Sequence, residues 1–553
     1  MRCILTVGSI IIGSCVWGAS LCHHTVNPKS ACAGWESLQQ LRTLIPERVW
    51  EQDFSIRFGG KECSPEEYDY FLRSTIFGEN VRLLDRYQEF QTSPFWDNPP
   101  MLDAQEKLEK EILAQSDSCK KSSQKDKNKV VEGTRLAAIH SEGNRYFAGS
   151  ELMKYIRTEL GAPIVLEDIV EDLAWMNQNP FRRTNAIFVP GEDSGSTNLE
   201  LVTTDRWPYR VYTGADNSGT ISTERNRLIF GFDFGKTIIQ DSQVSYQFTC
   251  SPDWNHFYAH TISARIPCPW RHVALLSGGY SQVEPELNVQ GQKEKGTSWQ
   301  VDGRYRIPII TNTSILQAFV FGYDFKETKN LLKENRHTIF DAVADINQFM
   351  VGYELGYRSK DQKVTLSAEI YGNPGGMTSK NHSKDYRQFT RKAKAEYIYG
   401  KLAHGFARKL PLGWWFTYDL SGQLSSANLL PSEQFVLTGY NAVRGFEERI
   451  VIVDNAALIN LALETPHMSP ISWFSKRKYT QDELYFLAFF DCGAGINHSR
   501  GGKTKTLASV GPGIRYQFSR YVTGRLDYGY QLWHSGFKNI TNSRYNFGLI
   551  ISY

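Results

Sequence analysis

Beyond its first twenty residues the chain has no run of 18 or more consecutive apolar residues, the length an α-helix needs to cross a bilayer. A membrane protein built of helices is therefore excluded, whereas one that crosses on strands is not. An excess of one charge is also lacking. The chain carries 62 Lys and Arg against 59 Asp and Glu, a formal net charge of +3. That balance gives no general case for nucleic acid or an acidic substrate as partner. Its nine cysteines show neither C-x-x-C nor Cys/His spacing, so no zinc site is expected. There is also no G-x-x-x-x-G-K-[ST] phosphate loop, H-E-x-x-H pair or G-x-S-x-G elbow. An enzyme is not expected, nor is a catalytic residue, a metal or a cofactor.

The N-terminus does carry a signal. Met1-Arg2, the apolar run Ile4 to Trp17 and the small residues Gly18-Ala19-Ser20 follow the order of a secretory leader, so residues 1–20 are read as one. Ile12-Gly13-Ser14-Cys15 offers a lipoprotein box as the alternative. The chain is expected to leave the cytoplasm, where Cys32, Cys63 and Cys119 could supply one disulfide. Residues 21–130 are less legible. Ser64-Pro65-Glu66-Glu67 reads as a capping box, Leu102, Leu108, Ile112 and Leu113 suggest a second helix, and Lys120, Lys121, Lys125, Lys127 and Lys129 read as a solvated linker.

Residues 131–208 read as a compact strand-helix-helix-strand-strand unit. Its first strand, Arg135 to His140, leads to a helix with Leu152, Ile156 and Leu160 on one face, stopped by Gly161 and Pro163. Leu166, Ile169, Val170, Leu173 and Met176 repeat at helical spacing in the second helix. Two strands, Asn185 to Val189 and Thr197 to Val202, complete it. Trp175 and Phe181 are expected inside, and Arg182 and Arg183 on the surface.

From Tyr209 to Tyr553 apolar and polar residues alternate in segments of about eight to twelve, separated by Gly, Asn, Asp, Ser and Pro clusters. Leu228, Phe230, Phe232 and Phe234 fall on one face, and Arg227, Gly231, Asp233 and Gly235 on the other. The pattern repeats with Leu526, Tyr528, Tyr530 and Leu532 against Arg525, Asp527, Gly529 and Gln531, and again in Tyr545 to Tyr553, where the chain stops without a polar tail. Alternation alone also fits a soluble sandwich. Aromatic residues at strand ends and charged residues on the opposite face favour a barrel with lipid outside and water inside. The length accommodates about sixteen strands, with the division near Pro431 left open. The expected fold class is thus mainly β, a transmembrane β-barrel preceded by a small α+β unit.

Two strings near the C-terminus stand out. Val443-Arg444-Gly445-Phe446 lies in a loop-like stretch, and Phe489-Phe490-Asp491-Cys492-Gly493 lies in an apolar strand interrupted by Asp491. Strand parity turns Phe489, Asp491 and Gly493 inward and leaves Leu484, Phe486, Ala488 and Phe490 to lipid.

Taken in order, Val131-Glu132-Gly133, Gly143-Asn144-Arg145-Tyr146-Phe147, Asp172 to Arg182, Pro190-Gly191, Asp205-Arg206-Trp207-Pro208, Ala215 to Gly219 and these two strings are similar to the TpsB transporters of two-partner secretion. These form the hemolysin-activator branch of the outer-membrane insertase superfamily, and the resemblance covers residues 131–553. It implies a periplasmic POTRA domain over residues 131–208 and a sixteen-stranded barrel over 209–553, with the loop around 439–455 folded into the lumen. There Arg444 would meet Asp491 in a two-pronged pair that lysine would not reproduce, beside a turn permitted by Gly445. The chain departs from the family pattern in two places. Residues 21–130 show only a divergent or degenerate first POTRA, and Thr438-Gly439 stands where Gly-Gly is common, with no Gly-Asp near Ile450 to Asn455.

The resemblance also implies the partners. They are a secreted exoprotein with an N-terminal secretion domain, outer-membrane lipid, and the barrel assembly machinery during biogenesis, with no nucleic acid. The exoprotein would bind the POTRA unit by adding a strand to a sheet edge. Candidate contacts are Asn177, Asn179, Arg182 and Arg183 at the end of the second helix, and Asn198 and Glu200 on the last strand. An assembly factor that inserts other barrels and a passive pore are the alternatives. The first would favour more POTRA domains than this length allows, and the second would need neither the POTRA unit nor the Val-Arg-Gly-Phe string.

Overall fold

The computed structural model describes residues 134–553 except 194, 238–240, 286–291, 313–314, 335–336, 360, 391, 472–481, 499–502 and 538–540. The expected leader, the expected capping box at Ser64, the lysine-rich stretch and Cys32, Cys63 and Cys119 lie outside the described residues. Among those described, Cys250, Cys268 and Cys492 are free thiols.

The chain first forms a small α+β unit. Strand β1 (Arg135–Glu142) is followed by helices α1 (Gly149–Met153) and α2 (Leu166–Met176) and strands β2 (Arg182–Pro190) and β3 (Ser196–Asp205). The sheet order is β1-β3-β2, with β3 parallel to β1 and antiparallel to β2. Leu136, Leu152, Ile169, Leu173, Met176, Phe188, Leu199 and Leu201 fill its core. Helix α1 is shorter than its apolar spacing predicts, and Leu160 is 65% exposed. The reason is a competing acceptor. The Arg157 N–H, which a continuing helix would direct at its own preceding turn, donates instead to Asp172 Oδ2 at 2.8 Å.

The barrel begins with β4 (Tyr209–Asp216), β5 (Arg227–Phe234), β6 (Gln243–Cys250), β7 (Phe257–Pro267) and β8 (Val273–Val283). It continues through β9 (Gln292–Asn312), β10 (Ile315–Glu334), β11 (His337–Ser359), β12 (Gln362–Asn373), β13 (Tyr397–Lys409) and β14 (Trp415–Ser425), with helix α3 (Ser383–Phe389) between β12 and β13. After the short strands β15 (Phe435–Val436) and β16 (Ile452–Val453), it is completed by β17 (Asn455–Glu464), β18 (Asp482–Ile496), β19 (Lys505–Phe518), β20 (Val522–Ser535) and β21 (Ser543–Ser552). Sixteen of these strands close a ring in which β21 pairs antiparallel with β4 from Gly548↔Asp216 to Ser552↔Tyr212. Closure leaves no unpaired sheet edge to meet hydrocarbon.

Burial distinguishes this barrel from a soluble sandwich. Phe230 and Phe232, on the apolar face of β5, are 40% and 45% exposed, whereas the polar residues Asp491, Asp527 and Asn546 are fully buried on the inner face. A soluble fold would invert that pattern; lipid outside and polar groups within produce it. Each strand reverses direction, so β14 runs away from the small unit, and the β14–β17 connection, residues 426–454, starts at the far end of the barrel. That connection turns back into the lumen, where β15 and β16 pair as a two-residue ladder.

Candidate functional site: a loop pinned across the lumen

Residues Leu437, Val443, Phe446, Val451 and Val453 of the inward loop pack with Leu458 and Leu507 of the barrel wall as a small apolar cluster. Removing these side chains from water holds the loop in place generally, while polar contacts set its register. The Arg444 guanidinium donates from Nε to Asp491 Oδ2 at 2.8 Å and from Nη2 to Oδ1 at 2.7 Å, and its own backbone N–H donates to Oδ2 at 3.0 Å. Asn460 Nδ2 adds a fourth bond, 2.8 Å to Asp491 Oδ1, and also reaches the Ala442 carbonyl at 2.9 Å. Beneath the guanidinium lies the Phe489 ring, whose centroid is 3.6 Å from Cζ. Asp491 is thus a buried carboxylate whose oxygens are occupied by donors from both the loop and the wall.

Glycine is required where the loop backbone touches the wall. Gly445 has φ +98°, a left-handed value that other residues rarely adopt. A Cβ there would stand 2.9 Å from the Gly529 carbonyl oxygen, and one at Gly529 would stand 2.4 Å from the Gly445 nitrogen. The contact is locked by Gln531 Nε2, which donates to the Gly445 carbonyl at 2.6 Å. Gly493 plays a milder part, since a Cβ there would crowd Leu437 and Val443. All seven residues expected at the loop and wall (Val443, Arg444, Gly445, Phe446, Phe489, Asp491 and Gly493) are therefore brought together.

A second carboxylate adjoins the first. Asp527 accepts from Arg515 Nη1 at 2.9 Å, Arg515 Nη2 at 3.1 Å and Arg525 Nε at 2.8 Å, with Arg444 Nη1 at 3.9 Å. Arg525 also donates to the Tyr440 carbonyl at 2.8 Å and lies over that ring. Further along, Glu447 meets Arg225 and Arg544. A separate stretch of wall, formed by β10, β11 and β13, holds the start of the loop. Glu433 accepts from Lys326 Nζ at 2.8 Å, Gln348 Nε2 at 3.0 Å and Tyr399 OH at 2.7 Å. Residue-by-residue reading missed Asn460, Asp527, Gln531 and Glu433 as anchors. Asn460 had a usable signal, a single amide interrupting the apolar run of β17 as Asp491 interrupts β18. Glu433 had none, because its partners lie on β10, β11 and β13.

The small unit requires corrections. Arg182 and Arg183, expected on the surface, are only 2% and 5% exposed, and Asn177 and Asn179 are buried as well. Asn177 exchanges hydrogen bonds with the Thr184 backbone, and Arg182 turns inward onto the Met176 carbonyl and Asp241. Asn198 and Glu200 are half-buried on β3, which has β1 and β2 on its two sides and no free edge. The reason is local: β2 begins at Arg182, earlier than the apolar pattern suggests, drawing both arginines into the sheet. Trp175 and Phe181 are buried as expected. Among the described residues, no group of three or more His, Cys, Asp or Glu could hold a metal ion.

A closed sixteen-stranded barrel with an apolar outer belt, a polar lumen and a loop pinned across it defines a transmembrane β-barrel of the outer-membrane type. The sequence profile of the haemolysin secretion/activation proteins ShlB/FhaC/HecB matches residues 195–516, more than half of the chain, and the chain belongs to that family. It is 21% identical over 362 residues to the heme/hemopexin transporter protein HuxB of Haemophilus influenzae (strain 86-028NP), a match covering 64% of this chain. The chain spans 62% of the length of that curated relative. Among solved structures, CdiB from Escherichia coli superposes with a TM-score of 0.66 at 17% identity, covering 76% of this chain and 77% of that one. CdiB from Acinetobacter baumannii gives 0.60 at 15% identity, covering 76% and 74%. Both likenesses concern the fold.

Proposed function

We propose that this chain is the outer-membrane translocator of a two-partner secretion pair, passing a large exoprotein of the hemolysin or adhesin type through its barrel. The observation that carries this reading is the anchored loop. A passive pore has no need of a long connection held in its lumen by a charge-paired arginine, four hydrogen bonds on one carboxylate and a glycine-to-glycine backbone contact. Such a loop is a movable obstruction that an extended chain can displace. The polar lumen suits a peptide backbone whose N–H and C=O groups need partners along the whole route. No cofactor enters this scheme.

The small unit is assigned as a periplasmic POTRA domain that receives the exoprotein before entry. β3 is central, which leaves β1 and β2 as the outer strands; the start of β1 is already bonded to residues 161–164, so the strand taken here for β-augmentation is β2, whose outer side is unpaired among the described strands. Arg444 and Asp491 act as positioning residues for the loop and not as a catalytic pair. Arg444→Ala tests this: secretion of the partner should fall while the barrel still assembles and resists unfolding by detergent. Undiminished secretion by that variant would remove the loop from the mechanism.

A further inference from the structure

Asn179 and Arg182 are polar enough to suggest a cargo contact, yet both are buried against a turn of the barrel. The Arg182 guanidinium spans Asp241, which lies in the turn between β5 and β6, with Nη1 at 2.5 Å from Oδ1 and Nη2 on Oδ2. Asn179 Nδ2 donates to the same Asp241 Oδ1 at 2.9 Å and to the Gly235 carbonyl at 2.7 Å, and Tyr155 OH donates to Asp241 Oδ2 at 2.6 Å. Arg182 also lies over the rings of Phe147 and Tyr155. A barrel turn therefore inserts one carboxylate into a socket of the small unit that supplies three donor side chains.

Steric fit and a second turn agree with this. A Cβ on Gly235 would stand 1.9 Å from the Phe181 ring, so the two pieces touch where only glycine fits. In the turn between β7 and β8, Arg271 pairs with Asp172 of α2, and Trp175 packs on Val273 and Leu275 of β8. A buried carboxylate without its cation is costly, so an ion pair across a junction favours one geometry over many.

We propose that Asn179, Arg182 and Tyr155 form with Asp241 a docking lock that fixes the small unit beneath strands β5–β8 in one orientation. Arg182 is both the key of this lock and the first residue of β2. The lock therefore sets the outer edge of β2 to begin at the barrel mouth and run away from it. A strand added antiparallel to that edge points its C-terminal end at the mouth; this last step rests on the cargo reading above, whereas the lock does not.

The test is the distance between spin labels at Glu192 in the small unit and Asp361 in the β11–β12 turn, measured on the full chain in lipid nanodiscs with its native cysteines replaced by serine. The parent protein should give a single narrow distance. Asp241→Asn, which keeps the shape of the side chain and removes its charge, should broaden it. Gly235→Ala, a change on the barrel that intrudes on Phe181, should shift it, while both barrels stay folded by heat-modifiability. Parent-like narrow distances in both variants would overturn the proposal, as would a parent protein that is already broad.

Discussion

Replacing Arg444 by lysine keeps the charge and removes the fork, which isolates what the geometry of the pair contributes. In the native loop the side chain donates twice to Asp491, at 2.8 and 2.7 Å, and lies 3.6 Å above the Phe489 ring. Lysine retains one charge-assisted bond. Losing the other costs about 1.5–3 kcal/mol, and weakening the stack about 0.5–1 kcal/mol. Partial relaxation leaves a net of about 2–3 kcal/mol, which is roughly a 30- to 150-fold shift toward the detached loop. Asp491→Asn should do more, about 3–5 kcal/mol, because it leaves the guanidinium buried without its counter-charge. The shift falls on the loop and not on the barrel, whose ladders none of these side chains maintain. Hydrogen exchange of amides in residues 439–449 reads the opening directly, with the β18 and β20 amides as internal controls. Exchange unchanged within a fewfold in both variants would refute the claim that this pair holds the loop. Faster exchange of the β18 and β20 ladders along with the loop would refute the claim that the effect is confined to it.

The wall contact and the far anchor give independent checks. Gly529→Ala places a methyl where the Gly445 backbone now lies and should cost about 1–3 kcal/mol of loop attachment, visible as faster exchange at residues 443–447. Glu433→Gln should loosen residues 429–434 while leaving 443–447 protected, since the two anchors share no partner; equal loosening of both would show them coupled. The docking lock has a pH signature. Burial pushes the Asp241 carboxyl up, but the adjacent Arg182 charge and the bonds from Arg182, Tyr155 and Asn179 bring it below its ordinary 3.8. A depressed value in the docked state means that the stabilisation is present above the ordinary value and is lost as pH falls through the depressed one. The label-to-label distance should therefore hold from neutral pH down to about pH 5 and broaden only in stronger acid.

The barrel was legible because its physics is local. In β21, Tyr545, Phe547, Leu549 and Ile551 alternate with Arg544, Asn546, Gly548 and Ile550, and that period alone assigns one face to lipid. Asp491 stood out as a charge in an apolar strand, whereas its meeting with Arg444 was legible through the family resemblance, since a loop arginine by itself is ordinarily solvated. The docking lock was not legible. Asp241 occupies an ordinary-looking turn, and nothing within ten residues of it announces the arginine 59 positions earlier that it meets. Arg182 was misread in part for the same reason, since the early start of β2 draws it into the sheet and the docked turn then covers it. Helix α1 shows the converse, a sound local pattern overridden by one tertiary acceptor, Asp172.

The central claim, that this chain exports a partner exoprotein, is tested most directly by the appearance of that exoprotein in the medium. The assay co-expresses a candidate partner with this chain or without it in a Gram-negative host and checks barrel assembly in the outer membrane. The account predicts release only when the assembled barrel is present, and a loss of release with Arg444→Ala at equal barrel levels. Release without this chain, or an assembled native barrel that releases none of its co-expressed partner, would contradict it.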